Sequence, residues 1–175
     1  MAEKMEKKYV LTNRRSGKAL TADNASAVQK MPDGSDAQIW RAVPAGGSAV
    51  QLINKATGLA LTVSGETENG AVLVLAEAAG SAAQVWELAT TTKGYRKIAH
   101  AASGKVIDIK GISDADFAPA QLWKFVKGEN QDWVATEVEK EKKAPAKRAV
   151  KEVKTCKAAK AEKPVKTAKA AQKSK

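Results

Sequence analysis

Cysteine and histidine occur once each in the 175 residues, at Cys156 and His100. One cysteine excludes an intramolecular disulfide and a Cys-based zinc centre. One histidine excludes His-rich metal sites and any paired-His mechanism. Long apolar runs are also missing: the longest, Ala71 to Ala76, falls far short of the ~20 residues a membrane helix needs. Residues Met1 to Lys8 are charged and lack the apolar core of a secretory signal. The expected compartment is reducing and cytoplasmic. No Gly-rich phosphate loop, nucleophile elbow or phosphate-binding lysine motif is present. Paired loop carboxylates such as Asp114 and Asp116 are common and assign nothing. No catalytic residue, metal ligand or cofactor is assigned, and the chain reads as a binding protein, not an enzyme.

What is abundant is positive charge, and it is unevenly placed. Of the 30 Lys+Arg and 19 Asp+Glu, residues 139–175 hold 14 and 4. The body before them is close to neutral, with 16 and 15. The expected organisation is a flexible segment at 1–7, one domain at 8–138 and a basic tail at 139–175.

The body repeats itself. Gln-x-Trp is visible at Gln38-Ile39-Trp40, Gln84-Val85-Trp86 and Gln121-Leu122-Trp123, each preceded by alanine. A second landmark recurs in the same order: Asn13 to Gly17, Asn54 to Gly58 and His100 to Gly104, each ending Ser-Gly or Thr-Gly. The three glycines lie 41 and 46 residues apart. After each comes a strand-like run, Lys18–Ala22, Leu59–Val63 and Lys105–Ile109. Short period-two alternation bounded by Gly, Pro, Asn, Asp and Ser predicts strands throughout. Each repeat reads as about four strands, with the third strand faint in repeats one and three. Leu122–Val126 is expected to follow the third Gln-x-Trp. A further segment at Trp133–Val138 is surplus to that count and is a candidate to close the structure beside Tyr9–Thr12.

These residues resemble the ricin B-type lectin domain over about residues 8–138. The resemblance implies an all-β β-trefoil of about twelve short strands, with one potential sugar pocket per repeat. It also implies where a pocket's residues stand. An Asp on the strand after Ser-Gly falls at Thr21, Thr62 and Asp108. An Asn before the Gln falls at Ala37, Ala83 and Ala120. An aromatic platform between them is found only in repeat three, as Phe117. Threonine cannot supply the two fixed acceptors of a carboxylate. Repeats one and two therefore read as degenerate, and Asp108, Phe117 and Gln121 become the candidate carbohydrate contacts. Gln38, Trp40, Gln84, Trp86, Gln121 and Trp123 read as the structural core motif, since Trp is mostly buried. His100 reads as a polar turn residue.

The tail is rich in Lys and Ala, and its composition resembles histone H1-like tails. Too apolar-poor to offset its ordering entropy, it is expected to be disordered alone. Lys151, Lys154, Lys157, Lys160, Lys163, Lys166 and Lys169 recur every third residue. On a polyproline II chain that spacing puts every lysine on one edge, about 9 Å apart. Such a ladder suits a polyanion by counterion release, without base readout. Two functions follow. One is a lectin-like module with largely degenerate sugar sites, whose partner is a glycan. The other is a nucleic-acid-associated protein whose tail binds DNA or RNA and whose trefoil docks proteins.

Overall fold

The computed structural model describes residues 6–139. The chain divides into two units, Met1–Glu139 and Lys140–Lys175, and the described residues belong to the first. The lysine ladder from Lys151 to Lys169, and Cys156 within it, lie outside the described residues. Among the described residues no helix is long and apolar enough to cross a membrane.

Twelve strands form: β1 (Lys7–Asn13), β2 (Ala19–Asp23), β3 (Ser26–Lys30), β4 (Ile39–Gly46), β5 (Ala49–Asn54), β6 (Ala60–Val63), β7 (Ala71–Ala76), β8 (Trp86–Thr92), β9 (Tyr95–His100), β10 (Val106–Ile109), β11 (Ala120–Trp123) and β12 (Trp133–Glu137). Six close a ring, in the order β1, β4, β5, β8, β9, β12 and back to β1, every pair antiparallel. Closure leaves the barrel with no free edge. The other six are the hairpins β2–β3, β6–β7 and β10–β11. These meet one another in turn: β3 pairs with β7, β7 with β11, and Val28 bridges Pro119 next to β11. A six-stranded barrel with three mutually packed hairpins is the β-trefoil that the resemblance implies.

The threefold repeat is built from local chemistry. Gly17, Gly58 and Gly104 take φ values of +69°, +73° and +70°, where a Cβ is disfavoured. Each donates its N–H to the carbonyl of Asn13, Asn54 or His100, four residues back. The Asn13 and Asn54 Oδ1 atoms then accept the N–H groups two and three residues on. Beneath these turns Leu11, Leu52 and Ile98 are fully buried, as are Leu20, Leu61 and Ile107. They line one core with Trp40, Trp86 and Trp133.

Three sequence expectations change. β3 was faint because Gln29, wholly buried, stands where β7 and β11 place Leu75 and Leu122. The Gln29 amide is satisfied by Ser16 and by the carbonyls of Ser113 and Ala115, so a polar residue sits in an apolar position. β11 covers Ala120–Trp123 and is the third strand of repeat three, not its fourth; residues 124–126 lie outside it. The segment at Trp133 is β12, the fourth strand, and not a surplus one. It closes the barrel against β1, with Tyr9 to Thr12 opposite Glu137 to Val134.

Candidate functional site

The three core tryptophans each follow a short 3₁₀ turn: Asp36–Gln38, Ala82–Gln84 and Glu129–Gln131. The third motif in space is therefore Gln131-Asp132-Trp133, not Gln121-Leu122-Trp123. Trp40, Trp86 and Trp133 are fully buried, and their Nε1–H groups donate to the carbonyls of Leu20, Leu61 and Ile107. Trp123 is only partly buried. Its Nε1 has no partner among the described residues, so the expectation that it is a core residue does not hold. One signal separates the two tripeptides. From Thr21 to Gln38 is 17 residues and from Thr62 to Gln84 is 22, while from Asp108 to Gln121 is only 13 and to Gln131 is 23.

Each motif glutamine ties its own loop. Gln38 Nε2 donates to Thr21 Oγ1 and to the Met31 carbonyl, and its Oε1 accepts from Asp33 N–H. Gln84 does the same with Thr62, Glu77 and the N–H groups of Ala79 and Gly80. Gln131 donates to Asp108 and the Lys124 carbonyl and accepts from Val126 N–H. This glutamine ties its loop to the preceding hairpin in all three repeats.

What differs between the repeats is the set of residues around that glutamine. Strand register puts Thr21 opposite Val28, Thr62 opposite Val74 and Asp108 opposite Gln121. Two residues along, Lys30, Ala76 and Trp123 hold equivalent places. Before the motif glutamine stand Ala37, Ala83 and Asn130. In repeats one and two each threonine hydroxyl is satisfied locally, donating to Ala19 or Ala60. Only repeat three gathers polar groups. Asp108 Oδ1 accepts from Gln121 Nε2 at 3.0 Å. Its Oδ2 accepts from Asn130 Nδ2 at 2.7 Å and from Gln131 Nε2 at 3.0 Å. The asparagine that reading Ala120 as the motif's neighbour had removed is thus present as Asn130.

Burial raises the Asp108 carboxyl above its ordinary value, while the bonds from Gln121, Gln131 and Asn130 oppose the shift. A carboxylate can accept about four hydrogen bonds; Asp108, 5% exposed, accepts three from neutral amides, and among the described residues it makes no ion pair. Beside it, Trp123 sits on the same face of β11 as Gln121, since strand side chains alternate. A loop of repeat two borders this indole. Gly70 N–H donates to the Leu122 carbonyl, Asn69 Oδ1 accepts Lys124 N–H at 2.9 Å, and Lys105 Nζ reaches the Thr67 carbonyl. The Gly70 backbone lies against the indole edge, where a Cβ would stand 3.8 Å from the ring.

Phe117 is not part of this cluster. It is 55% exposed, its N–H is bound to the Gln29 carbonyl of β3, and its ring lies 5.8 Å from Lys30 Nζ. Of the expected contacts the fold brings Asp108 and Gln121 together. Sequence reasoning missed Asn130 and the position of the partly buried Trp123 beside it.

His100, in the place of Asn13 and Asn54, is buried against Trp86, ring centroids 5.3 Å apart. Its Nε2 lies 2.9 Å from the Ala82 carbonyl, so that nitrogen carries the proton, and Nδ1 accepts from Ser103 Oγ. Asn13 and Asn54 make the equivalent bonds to the carbonyls of Asn130 and Ala37. Burial lowers the His100 pKa and the Ala82 carbonyl partly restores it. Among the described residues no three His, Cys, Asp or Glu side chains gather as a metal site requires.

The model of the ricin-type beta-trefoil lectin domain-like family matches residues 2–76 and 82–147. ThreeFoil, a designed three-fold symmetric protein, is similar with a TM-score of 0.73 at 32% identity, over 75% of this chain and 99% of that one. The exo-beta-1,3-galactanase 1,3Gal43A from Clostridium thermocellum is similar with a TM-score of 0.72 at 34% identity, over 75% of this chain and 30% of the enzyme's. A ricin B-like lectin of Macrolepiota procera, in complex with lactose, shares the fold with a TM-score of 0.68 at 19% identity, over 75% of this chain and 95% of that one. No curated protein gives a significant match.

Proposed function

The chain belongs to the ricin-type β-trefoil lectin domain-like family, and on that premise we propose that it is a carbohydrate-binding module with one working site, in repeat three. Asp108 accepts a sugar hydroxyl, the Asn130 and Gln121 amides serve a neighbouring hydroxyl, and Trp123 presents its face to the apolar side of the ring. Repeats one and two are scaffold. One observation carries this reading. The features that hold the fold recur three times, while the carboxylate, two extra amides and a partly buried indole beside them occur together once among the described residues. Phe117, the platform expected from sequence, is replaced in this role by Trp123.

The ligand class is a neutral sugar with adjacent hydroxyls. A galactanase and a lactose-bound lectin among the similar structures make galactose-containing sugars the first probes. One such pocket is expected to bind at about millimolar Kd, near −4 kcal/mol. Calorimetric titration of lactose into the full chain, with Asp108→Ala alongside, tests it. Saturable binding that vanishes in the variant supports the site, and equal binding by both chains would sink it.

The lysine ladder of the tail supports a second activity, sequence-independent association with DNA or RNA. It predicts that removing residues 139–175 abolishes nucleic-acid binding, and that affinity falls steeply with salt. A salt-insensitive affinity would refute it.

A further inference from the structure

Three residues before each motif glutamine the backbone does the same thing. Ser35, Ser81 and Gly128 open the three 3₁₀ turns with φ/ψ of −75/158, −70/158 and −78/147. Their carbonyls accept the N–H of Gln38, Gln84 and Gln131 at 3.0, 2.9 and 2.9 Å. Gly128 thus adopts extended backbone that any residue tolerates, and its sister positions carry serine. No turn geometry explains the glycine. Space does: a Cβ on Gly128 would stand 2.5 Å from Asn130 Oδ1, well inside van der Waals contact. Asn130 is the amide that reaches Asp108 Oδ2. In the sister repeats the residue two after the serine is Ala37 or Ala83, whose methyl needs no such room. The chain therefore pairs Ser with Ala twice and Gly with Asn once.

We infer that Gly128 is a positioning residue of the repeat-three site: the missing side chain leaves the space in which the Asn130 amide lies when it donates to Asp108. The inference rests on the carbohydrate-binding reading for its functional consequence, but its geometric content is independent of any sugar. Asn130 is the yielding partner in the clash, because the atom approached is the far end of a side chain while the backbone at 128 already has the serine geometry. A side chain at 128 then leaves the fold intact and moves Asn130 away from Asp108.

The test compares Gly128→Ser, Gly128→Ala, Asn130→Ala and Gly128→Ser/Asn130→Ala in the full chain. Two readouts are used: lactose affinity, and the titration of the Asp108 carboxyl followed by carbon NMR. Gly128→Ser and Gly128→Ala are expected to stay folded, with the gain from replacing glycine at a compatible φ set against the lost bond to Asp108. Both are expected to lose lactose affinity to the level of Asn130→Ala, about tenfold or more for a hydrogen bond to a charged group. In both, Asp108 titrates at higher pH than in the wild type, because one stabilising donor is gone. Adding Gly128→Ser to Asn130→Ala is expected to change neither readout. Wild-type affinity and wild-type Asp108 titration in Gly128→Ser would overturn the inference, as would unfolding of both single variants. If the wild type binds no lactose, the proposed function fails. The Asp108 titration alone then decides the role of Gly128: an upward move upholds it and no move overturns it.

Discussion

Converting repeat three into a copy of its sisters tests site and scaffold at once. The triple variant Asp108→Thr/Gln121→Val/Asn130→Ala installs the residues found at Thr21, Val28 and Ala37, and equally at Thr62, Val74 and Ala83. The new threonine has a ready arrangement to adopt. Thr21 and Thr62 each accept from the motif glutamine and donate to the carbonyl two residues back. Gln131 therefore keeps an acceptor. The Asp108 bonds to Gln121 and Asn130 are lost with both partners removed, which is nearly neutral for stability. What remains is the removal of a buried carboxylate. Its folded pKa is raised, so Asp108 favours folding below the unfolded value of 3.8, and that contribution is lost as pH rises through the folded pKa. At neutral pH the wild type bears this loss, about 1.4 kcal/mol for every tenfold that burial weakens the acid. The triple variant is expected to be the more stable chain at pH 7, read as a higher Tm. The gain shrinks as pH falls towards 3.8, and lactose binding disappears. Thermal unfolding across pH, with lactose titration, measures both. A Tm lowered at pH 7, or surviving lactose binding, would refute the reasoning.

The two tryptophans separate fold from site. Trp133→Ala is expected to cost about 3–5 kcal/mol in chemical denaturation, and Trp123→Ala under about 1 kcal/mol while losing lactose affinity. Because the His100 pKa is lowered, its contribution to stability is present above the unfolded value of 6.5 and is lost as pH falls through the folded one. His100→Asn, the residue of both sister turns, is expected to flatten the stability profile on the acid side of pH 6.5, read by thermal melts. Lactose affinity is expected to weaken as pH falls into the range where Asp108 takes up its proton, which lies above the ordinary carboxylate range. A flat calorimetric profile from pH 7 down to pH 4 would count against Asp108 as the acceptor.

The repeat was legible because turn chemistry is local. Asn-x-x-Ser/Thr-Gly specifies a left-handed glycine and an amide that ties the turn, and both survive in any context. Two of the three turns carry the asparagine and the third carries His100, and the trefoil was an implication of the resemblance that these turns and the Gln-x-Trp motifs share. The site was less legible because two tripeptides of the same type lie ten residues apart in repeat three. Gln121-Leu122-Trp123 and Gln131-Asp132-Trp133 look alike as text. Their spacing from Asp108, 13 against 23 residues, separates them, and the hairpin register, with Asp108 opposite Gln121, places the first on β11 with a partly buried indole. Misplacing the motif hid Asn130 and promoted Phe117. The loop between β10 and β11 is tied to repeat one by Gln29, whose side-chain amide donates to the Ser113 and Ala115 carbonyls and whose backbone carbonyl accepts Phe117 N–H.

The central claim is that one repeat of three binds sugar, and a nitrogen–proton NMR titration of the full chain with lactose tests it most directly. The expected result is saturable shifts at the Trp123 indole N–H and the Gln121 and Asn130 side-chain amides. The buried indoles of Trp40, Trp86 and Trp133 are expected to stay still. Shifts at Gln38 or Gln84, with Trp123 and Asn130 unmoved, would contradict the account.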